Sequence, residues 1–500
     1  MSTYQGSRRA TRARRRSRWF LAGGLMAGSL VVGAAGVAAA GPSVAGPGLP
    51  SMVLRGDDAG EERRGEERRG EEDRRSRSER RGGPQSGHGR KFFVPCDSDR
   101  LIAALKRADA EGGGDLRLAP KCRYVLTEAL EQEDGYDGGI RDARESADSA
   151  ENPGDVEAPP RTPEDDKSGL PFIYHPISIR GEGATIVRDE HAEEFRFFTV
   201  RDSGELTLSD VVLKNGKSTA EGGSIYVAHG ASAVVKRTTI VGSTSLSKEG
   251  GGGGIFNDGN MVVTDTTFVD NHATGTAGKG GGMLNGGVLA MHKSEFRGNS
   301  AVAYGGGFGN YRGAAEVHTS TFVHNEAEQG GGVASFSART RVSDSTVHGN
   351  SAKTGGGIAN SDALIFLRDM RVTDNTATGN GGGISTFQGL VPLDDSVVTG
   401  NTAEGNGGGI YAEKSNLVVR QSRVNGNEAV GDTSQGGGIF VTQGQVQLFQ
   451  SRVAGNASEV KPGGLFVDKA RVTIDDETDI VRNEPTNCAG STVPVTNCRS

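Results

Sequence analysis

Three aspartates, Asp344, Asp369 and Asp395, recur 25 to 26 residues apart, at the same position of a repeated sequence. If the repeats stack, these carboxylates form a column on the surface, with Arg368 beside it. Like charges so close repel each other, so a bound cation such as Ca²⁺ would stabilise the column, or one carboxyl would stay protonated. Such a column could bind an acidic sugar through calcium, with Arg368 or Arg420 as a base or a clamp.

The simpler interpretation is an exposed ladder in which acidic and basic side chains pair with one another, and we favour it. His292 and His318 form an equivalent column that could bind a metal, although exposed histidines on strands are more often simply polar. The catalytic residues are therefore unassigned, with Asp344, Asp369, Asp395 and Arg368 as candidates. The three aspartates are also the candidate metal ligands, and calcium is the one cofactor considered.

Several signatures of catalysis do not occur in the sequence: G-x-S-x-G, H-E-x-x-H and the phosphate-binding loop. The calcium-binding glycine-rich nonapeptide is not present in register either. The one tryptophan is Trp19, near the N-terminus, whereas sugar clefts commonly present exposed aromatic platforms. The net charge of -7 over 500 residues gives no case for nucleic-acid binding, which needs a concentrated basic face.

The repeat has an asparagine, a small residue two positions later, a run of glycines and then an apolar residue. An apolar residue also stands three positions before the asparagine, as Phe322 stands before Asn325. The asparagines recur every 25 to 29 residues, at Asn271, Asn299, Asn325, Asn350, Asn375, Asn401, Asn427, Asn456 and Asn483. We predict that they form a structural ladder at a sharp corner, in the left-handed conformation that asparagine tolerates.

The apolar residues within one repeat alternate with period two, which is typical of strands. Three short strands separated by turns make one triangular coil, and coils of equal length stack about 4.8 Å apart. The 79 glycines and the 5% aromatic content suit such a stack, in which each coil buries a thin slice. The predicted fold is all-β: a right-handed single-stranded parallel β-helix of about 12 coils with a short N-terminal capping helix. Regular apolar spacing argues against the alternative, a disordered glycine-rich tract.

The pattern Gly-Gly-x-aliphatic followed by Phe/Val-x-x-Asn resembles the repeats of polymorphic outer-membrane proteins and of exported right-handed parallel β-helix proteins with the pectate-lyase-like fold. The stretch VPCDSDRLIAALKRADAEGGGDLRLAPKCRYVLT resembles the N-terminal cap of the latter group. The resemblance covers roughly residues 92–130 and 170–490. It implies a fold that includes lyases, hydrolases and epimerases of acidic polysaccharides, whose sites lie on the outside of neighbouring coils.

The N-terminus has a basic stretch and then an apolar stretch that ends in small residues, which predicts an exported protein. The apolar stretch is either a cleaved signal peptide or an uncleaved anchor, and a membrane is a partner only in the second case. The predicted segments are a signal peptide or anchor (1–40), a disordered charged linker (41–91), an N-terminal cap (92–129), an acidic mobile insertion (130–168), the parallel β-helix (169–487) and a disulfide-closed tail (488–500).

Four cysteines in an exported chain suggest two disulfides. Local pairing, Cys96 with Cys122 and Cys488 with Cys498, is the simplest of the three connectivities, and each bridge would then pin one end of the stack. A four-thiolate metal site would require the two ends of an elongated stack to meet.

We expect a secreted or cell-surface protein, non-catalytic, that binds a surface polymer such as an extracellular or cell-wall polysaccharide, binds another partner, or acts as a spacer. The alternative is a calcium-assisted lyase or hydrolase of an acidic polysaccharide. Near-uniform coils between Asn299 and Asn427 favour the first, because enzymes on this fold usually break their repeats with long loops that wall a cleft.

Overall fold

The computed structural model describes residues 90–130 and 167–498. The predicted signal peptide or anchor, nearly all of the charged linker and most of the acidic insertion lie outside the described residues, so those three segments stay predictions.

The described chain has one helix, α1 (Ser98–Ala110), and 46 strands. In chain order the strands are β1 (Arg90–Val94), β2 (Gly114–Leu118), β3 (Arg123–Leu126), β4 (Pro176–Arg188), β5 (Phe198–Val200), β6 (Glu205–Lys214), β7 (Lys217–Ser218), β8 (Ile225–Val227), β9 (Ser232–Lys236), β10 (Thr239–Val241), β11 (Thr244–Ser245), β12 (Ile255–Asn257), β13 (Asn260–Thr264), β14 (Thr267–Val269), β15 (His272–Ala273), β16 (Met283–Asn285), β17 (Val288–His292), β18 (Glu295–Arg297), β19 (Ser300–Ala301), β20 (Phe308–Tyr311), β21 (Ala314–His318), β22 (Thr321–Val323), β23 (Glu326–Gln329), β24 (Val333–Phe336), β25 (Arg339–Ser343), β26 (Thr346–His348), β27 (Ser351–Thr354), β28 (Ile358–Ser361), β29 (Leu364–Arg368), β30 (Arg371–Thr373), β31 (Thr376–Ala377), β32 (Ile384–Phe387), β33 (Leu390–Asp394), β34 (Val397–Thr399), β35 (Thr402–Ala403), β36 (Ile410–Glu413), β37 (Asn416–Arg420), β38 (Arg423–Asn425), β39 (Glu428–Ala429), β40 (Ile439–Thr442), β41 (Gln445–Phe449), β42 (Arg452–Ala454), β43 (Ala457–Ser458), β44 (Leu465–Asp468), β45 (Arg471–Ile474) and β46 (Asp479–Val481).

These strands form three parallel sheets of 25, 10 and 11 strands, called here sheets I, II and III. One coil runs from β24 in sheet III through β25 and β26 in sheet I to β27 in sheet II. The prediction of a right-handed parallel β-helix is confirmed, with about 14 turns rather than 12. A coil has four strands instead of the predicted three, because a left-handed residue such as Asp344 (φ 51°) bends sheet I into a five-residue and a three-residue strand.

Apolar side chains fill the interior because each strand turns alternate residues inward. Val333 pairs with Ile358 on the next coil, and both side chains are fully buried. Phe268 stacks on Phe296 with the ring centroids 4.3 Å apart, and Phe296 stacks on Phe322 at 5.0 Å. Because the repeats are in register, similar side chains lie directly above one another in successive coils.

The repeated asparagines are buried inside one corner and bond to each other from coil to coil. Asn350 Nδ2 donates to Asn375 Oδ1 at 2.9 Å, and the same oxygen accepts the Asn350 backbone N–H at 2.9 Å. At the last coil, Asn487 Oδ1 accepts the equivalent bonds from Asn483 at 3.0 Å. Each amide thus satisfies backbone groups that the corner would otherwise bury without partners.

The expectation that these asparagines are left-handed is wrong. The left-handed residue is the one before each asparagine, for example His324 (φ 53°), Gly349 (φ 61°) and Asp374 (φ 53°). The glycine runs do meet a conformational need. Gly330 has φ +65°, and a Cβ on Gly331 would lie 2.3 Å from the Ser351 carbonyl oxygen, so only glycine fits there.

Each end of the described stack is closed by a disulfide, and both predicted pairings are confirmed: Cys96–Cys122 and Cys488–Cys498. Near the first, Asp97 caps α1, its side chain accepting the Arg100 N–H. Leu101 and Leu105 are the buried face of that helix.

Candidate functional site

The predicted carboxylate column exists as a column of backbone corners. Asp344, Asp369 and Asp395 have φ of 51°, 51° and 50°, and all three side chains are exposed. The same corner holds Lys293 (φ 47°) and Gln421 (φ 49°) on other coils. Aspartate tolerates the left-handed conformation better than most residues. Part of the recurrence that suggested chemistry therefore reflects backbone geometry.

Neighbouring side chains engage the carboxylates of this column. Arg368 Nε lies 3.4 Å from Asp369 Oδ2 and 3.8 Å from Asp395 Oδ2. The Ser343 hydroxyl donates to Asp344 Oδ2 at 3.0 Å. Nowhere in residues 90–130 and 167–498 does a group of three or more His, Cys, Asp or Glu side chains suit a metal ion. The geometry is that of an ion-pair ladder, and calcium binding stays a prediction.

The residues that stand one position before this corner form a neighbouring column, and it contains a bidentate ion pair. Arg420 Nε and Nη2 donate to the two carboxylate oxygens of Asp394, each at 2.7 Å. Hydrogen bonding to this carboxylate is the main reason why the pKa of Arg420 is raised. The pair joins two neighbouring coils at the surface.

His292 and His318 are brought together, but face to face. Their rings are 5.1 Å apart at the centroids and inclined by 13°. His318 Nδ1 lies 2.6 Å from Ser343 Oγ. Burial first, and His318 second, lower the pKa of His292. Parallel rings stacked in this way direct their nitrogens alongside each other rather than towards one ion.

The most distinctive outward-facing feature of sheet I is apolar, and the sequence interpretation missed it. We call it the apolar strip; it spans three consecutive coils of sheet I and comprises Leu364, Phe366, Leu390, Pro392 and Val418. The intervening residues, such as Ile365 and Leu367, point into the core and are buried, so the strip faces outward. Strands β29 (LIFLR) and β33 (LVPLD) lack the usual apolar–polar alternation, and that was the available signal.

Proline in the middle of a sheet marks the strip as unusual, because proline cannot donate to a strand ladder. Between β29 and β33 the paired positions are Leu364 with Leu390, Leu367 with Leu393, and Arg368 with Asp394. Pro392 stands in the gap between them, and is itself buried by its neighbours.

An open groove runs beside the strip, along the corner between sheets III and I. This corner groove, of about 530 Å³, crosses four coils. Its apolar wall includes Leu364 and Leu390, and its polar side chains are Ser337, Arg339, Asp362, Gln388, Lys414 and Asn416. A ligand in it would meet donors, acceptors and both signs of charge next to hydrocarbon.

Two cations of the groove differ in how they are held. Lys414 Nζ lies 3.9 Å from Glu413 Oε1 and 5.2 Å from the centroid of the Phe387 ring. Tyr411 in turn donates to Glu413 at 2.9 Å. Arg339 is exposed and its guanidinium has no ion pair among the described residues. Lys414 is therefore positioned by its surroundings, whereas Arg339 is available to a ligand.

A third cation, Arg341, lies over the strip itself. The guanidinium carbon of Arg341 is 5.4 Å from the centroid of the Phe366 ring, and Arg341 Nη1 bonds Glu316 Oε1 at 3.0 Å. The strip and groove together thus offer an apolar platform with polar groups beside it.

Comparison with known families supports the fold. Residues 365–479, which include most of the apolar strip, match the family model described as "Right handed beta helix region". This segment is a right-handed β-helix. The resemblance of its repeats to polymorphic outer-membrane proteins stays a prediction. No curated protein sequence matches the β-helix chain.

Solved structures with similar architecture include tailspike protein 3 of bacteriophage CBA120, at 11% identity and a TM-score of 0.41, over 81% of this chain and 62% of the tailspike. The β-helix thus spans less than two thirds of that protein's length. Two others are A-modules of Azotobacter vinelandii mannuronan C-5 epimerases: AlgE6, at 14% identity, TM-score 0.34, 75% of this chain and 94% of the module, and AlgE4, at 12%, 0.35, 77% and 94%.

Proposed function

We propose that this β-helix binds a linear polysaccharide outside the cell, along the apolar strip and the corner groove, and does not cleave it. The proposal rests on the strip: on three consecutive coils, four half-buried apolar side chains and the buried Pro392 face outward beside a groove of polar side chains. A sugar ring has an apolar face of C–H groups and a rim of hydroxyls, so it matches a hydrocarbon platform edged by donors and acceptors.

A linear polymer is favoured because the platform repeats along the helix axis. Equivalent positions such as Leu364 and Leu390 recur once per coil, about 4.8 Å apart. A chain lying along the axis would meet one such position in each coil, with Arg339 near one end of the groove and Lys414 near the other. Repetition of this kind adds contacts with polymer length.

A non-catalytic role is favoured by the pairing of the candidate carboxylates. Arg368 lies near both Asp369 and Asp395, and Arg420 holds Asp394 by two bonds. Both oxygens of Asp394 already accept hydrogen bonds, and the Arg368 guanidinium lies within ion-pair distance of Asp369 and Asp395. General acid or base work by these residues would require the pairs to open first.

An extracellular location is favoured by the two disulfides, which persist in oxidising compartments. Across the residues that the structure describes, no helix is both long and apolar enough to cross a membrane.

The test is incubation of the full chain with a panel of uronate-containing and neutral polysaccharides, with calcium or with EDTA, measuring binding together with new reducing or unsaturated ends. We expect binding without new ends. Phe366→Ala should weaken it about tenfold, because part of a buried phenyl contact is lost. The matched control is Phe93→Ala, a phenylalanine that is 65% exposed on β1, far along the chain from the strip.

Three results would contradict the proposal. The first is that no polysaccharide binds. The second is that both phenylalanine variants weaken binding equally. The third is that new chain ends form and Asp369→Ala abolishes them, in which case the protein is the lyase or hydrolase. EDTA should leave binding unchanged, since the aspartates already have protein partners. If EDTA abolishes polysaccharide binding and Asp369→Ala does the same, calcium bound at the aspartate column mediates that binding.

A further inference from the structure

A second surface groove lies on the C-terminal coils, at the corner between the two strand columns of sheet I. This second groove, of about 430 Å³, is lined by Gln421, Ser422, Arg423, Gln450, Ser451, Arg452, Glu477 and Asp479. It is separate from the corner groove, which lies at the opposite edge of the five-residue strands.

Two arginines face each other in it. Arg423 and Arg452 begin β38 and β42 and are register partners in the parallel ladder. The next residues, Val424 and Val453, are buried, so both arginine side chains point outward, and both are exposed. Like charges directly opposite on neighbouring strands are unfavourable.

At three other places on sheet I, an arginine bonds an acid on the neighbouring coil. Arg237 bonds Asp210 by two contacts of 2.7 Å, Arg420 bonds Asp394 in the same way, and Arg341 bonds Glu316 at 3.0 Å. The facing pair Arg423 and Arg452 departs from this arrangement of charges.

The protein only partly compensates this pair. Arg452 Nη1 lies 3.8 Å from Asp479 Oδ2, which is too long for a hydrogen bond. The Arg423 guanidinium has no protein partner within the described residues. The remaining acid of the groove, Glu477, accepts from Gln450 Nε2 at 2.6 Å. Both acids lie on the last coil, so the positive potential is highest on the Arg423 side.

We propose that the second groove binds a tetrahedral oxyanion, sulfate or phosphate, between Arg423 and Arg452. Two planar guanidinium groups offer paired N–H donors that match the edges of such an ion. The exposed amide of Gln421, on the coil of Arg423, adds a further N–H donor. The oxyanion is either the free ion or an ester group on a polymer, since both present the same oxygens.

The first experiment measures binding of sodium sulfate and sodium phosphate to the full chain by calorimetry, at ionic strength matched with sodium chloride. We expect one site, and Arg423→Gln should weaken it at least about tenfold, because a charge-assisted contact is lost. The matched control is Arg371→Gln. Arg371 occupies the same strand position two coils earlier, where its neighbours are Thr346 and Val397.

The proposal is overturned if wild-type protein binds neither ion, or if Arg371→Gln weakens binding as much as Arg423→Gln. Arg423→Lys, which keeps the charge without the paired donors, should bind with intermediate affinity. Thermal midpoints in chloride report whether each variant is folded.

A second experiment finds the source of the oxyanion by comparing one polysaccharide in sulfated and desulfated form. Tighter binding of the sulfated form that Arg423→Gln removes identifies an ester on a polymer, whereas equal binding identifies the free ion. This site does not depend on the proposed polysaccharide platform. Phe366→Ala should leave the affinity for inorganic sulfate unchanged, so failure of one proposal is distinguishable from failure of the other.

Discussion

At the scale of single residues, the buried asparagine of each coil should contribute more to stability than the exposed carboxylates. Asn350 Nδ2 donates to the carbonyl oxygens of Phe322 and His348 as well as to Asn375 Oδ1, and Asn350 Oδ1 accepts two bonds from Asn325. One side chain thereby satisfies groups on three successive coils. Its removal leaves several buried polar atoms without partners, each of which costs free energy.

We therefore expect Asn350→Ala to lower the free energy of unfolding by about 2 to 4 kcal/mol. Chemical denaturation measures this, with Asn416→Ala as the control. Asn416 is exposed, so its truncation should change stability by less than about 0.5 kcal/mol. Equal midpoints for the two variants would show that the ladder adds nothing to stability.

Substitutions at Asp369 test whether backbone conformation explains the recurrence of aspartate in this column. Asp369 has φ 51°, so Asp369→Gly should preserve or raise stability, whereas Asp369→Val should lower it by about 1 to 2 kcal/mol. Arg371→Val, two positions on in an exposed strand position, should have little effect on the denaturation midpoint. A tolerated valine at position 369 would contradict the conformational explanation.

At the scale of elements, the stacked strands place each phenylalanine of one column against the next. Phe322 is fully buried and its ring centroid lies 5.0 Å from that of Phe296. Phe322→Asp should cost several kcal/mol of unfolding free energy, about 3 or more, by burying an unpaired charge. Thr321→Asp is the matched control, since Thr321 precedes it on β22 and is exposed. A wild-type denaturation midpoint for Phe322→Asp would refute the coil register.

The elements also show how far the sequence can be interpreted. The inward apolar residues, the glycine runs and the buried asparagines follow directly from the period of the repeat, because parallel stacking converts sequence period into spatial columns. The bend in sheet I could not be placed in this way. It depends on a left-handed residue whose identity varies between Asp, Arg, Lys, Thr and Gln, so no single residue type marks it.

The candidate site was harder to predict for a different reason. Charged residues at one repeat position attract attention, although here Asp369 and Asp395 share the Arg368 cation and Asp344 bonds the Ser343 hydroxyl. The apolar strip depends instead on outward positions of β29 and β33, and outward can be told from inward only once the strand register is known. An uninterrupted apolar run such as LIFLR is compatible with either orientation.

At the scale of the whole molecule, stability should depend on acid pH. Several carboxyls have a lowered pKa: that of Asp210 mainly through the hydrogen bond from Arg237, that of Glu193 through Lys167, and that of Glu194 through Lys217. A carboxyl whose pKa is lower in the folded state stabilises the fold at neutral pH, and this contribution is lost as pH falls through that pKa.

The thermal midpoint should accordingly fall as pH is lowered from about 5 to 3. Arg237→Gln removes the main cause of the Asp210 shift, so its midpoint should fall less steeply over the same range. Arg371→Gln, which removes an arginine with no acidic partner in the described chain, should keep the wild-type slope. Identical slopes for all three proteins would contradict the assignment to Asp210.

The central claim, that the apolar strip and corner groove are the polymer-binding face, is tested most directly by hydroxyl-radical footprinting of the full chain with and without a polysaccharide found to bind. We predict that the polymer protects Leu364, Phe366 and Leu390 from oxidation. Val262 and Val288, exposed on earlier coils of the same sheet, should be oxidised equally in both samples. Protection of those valines with no change at Phe366 would place the binding face elsewhere.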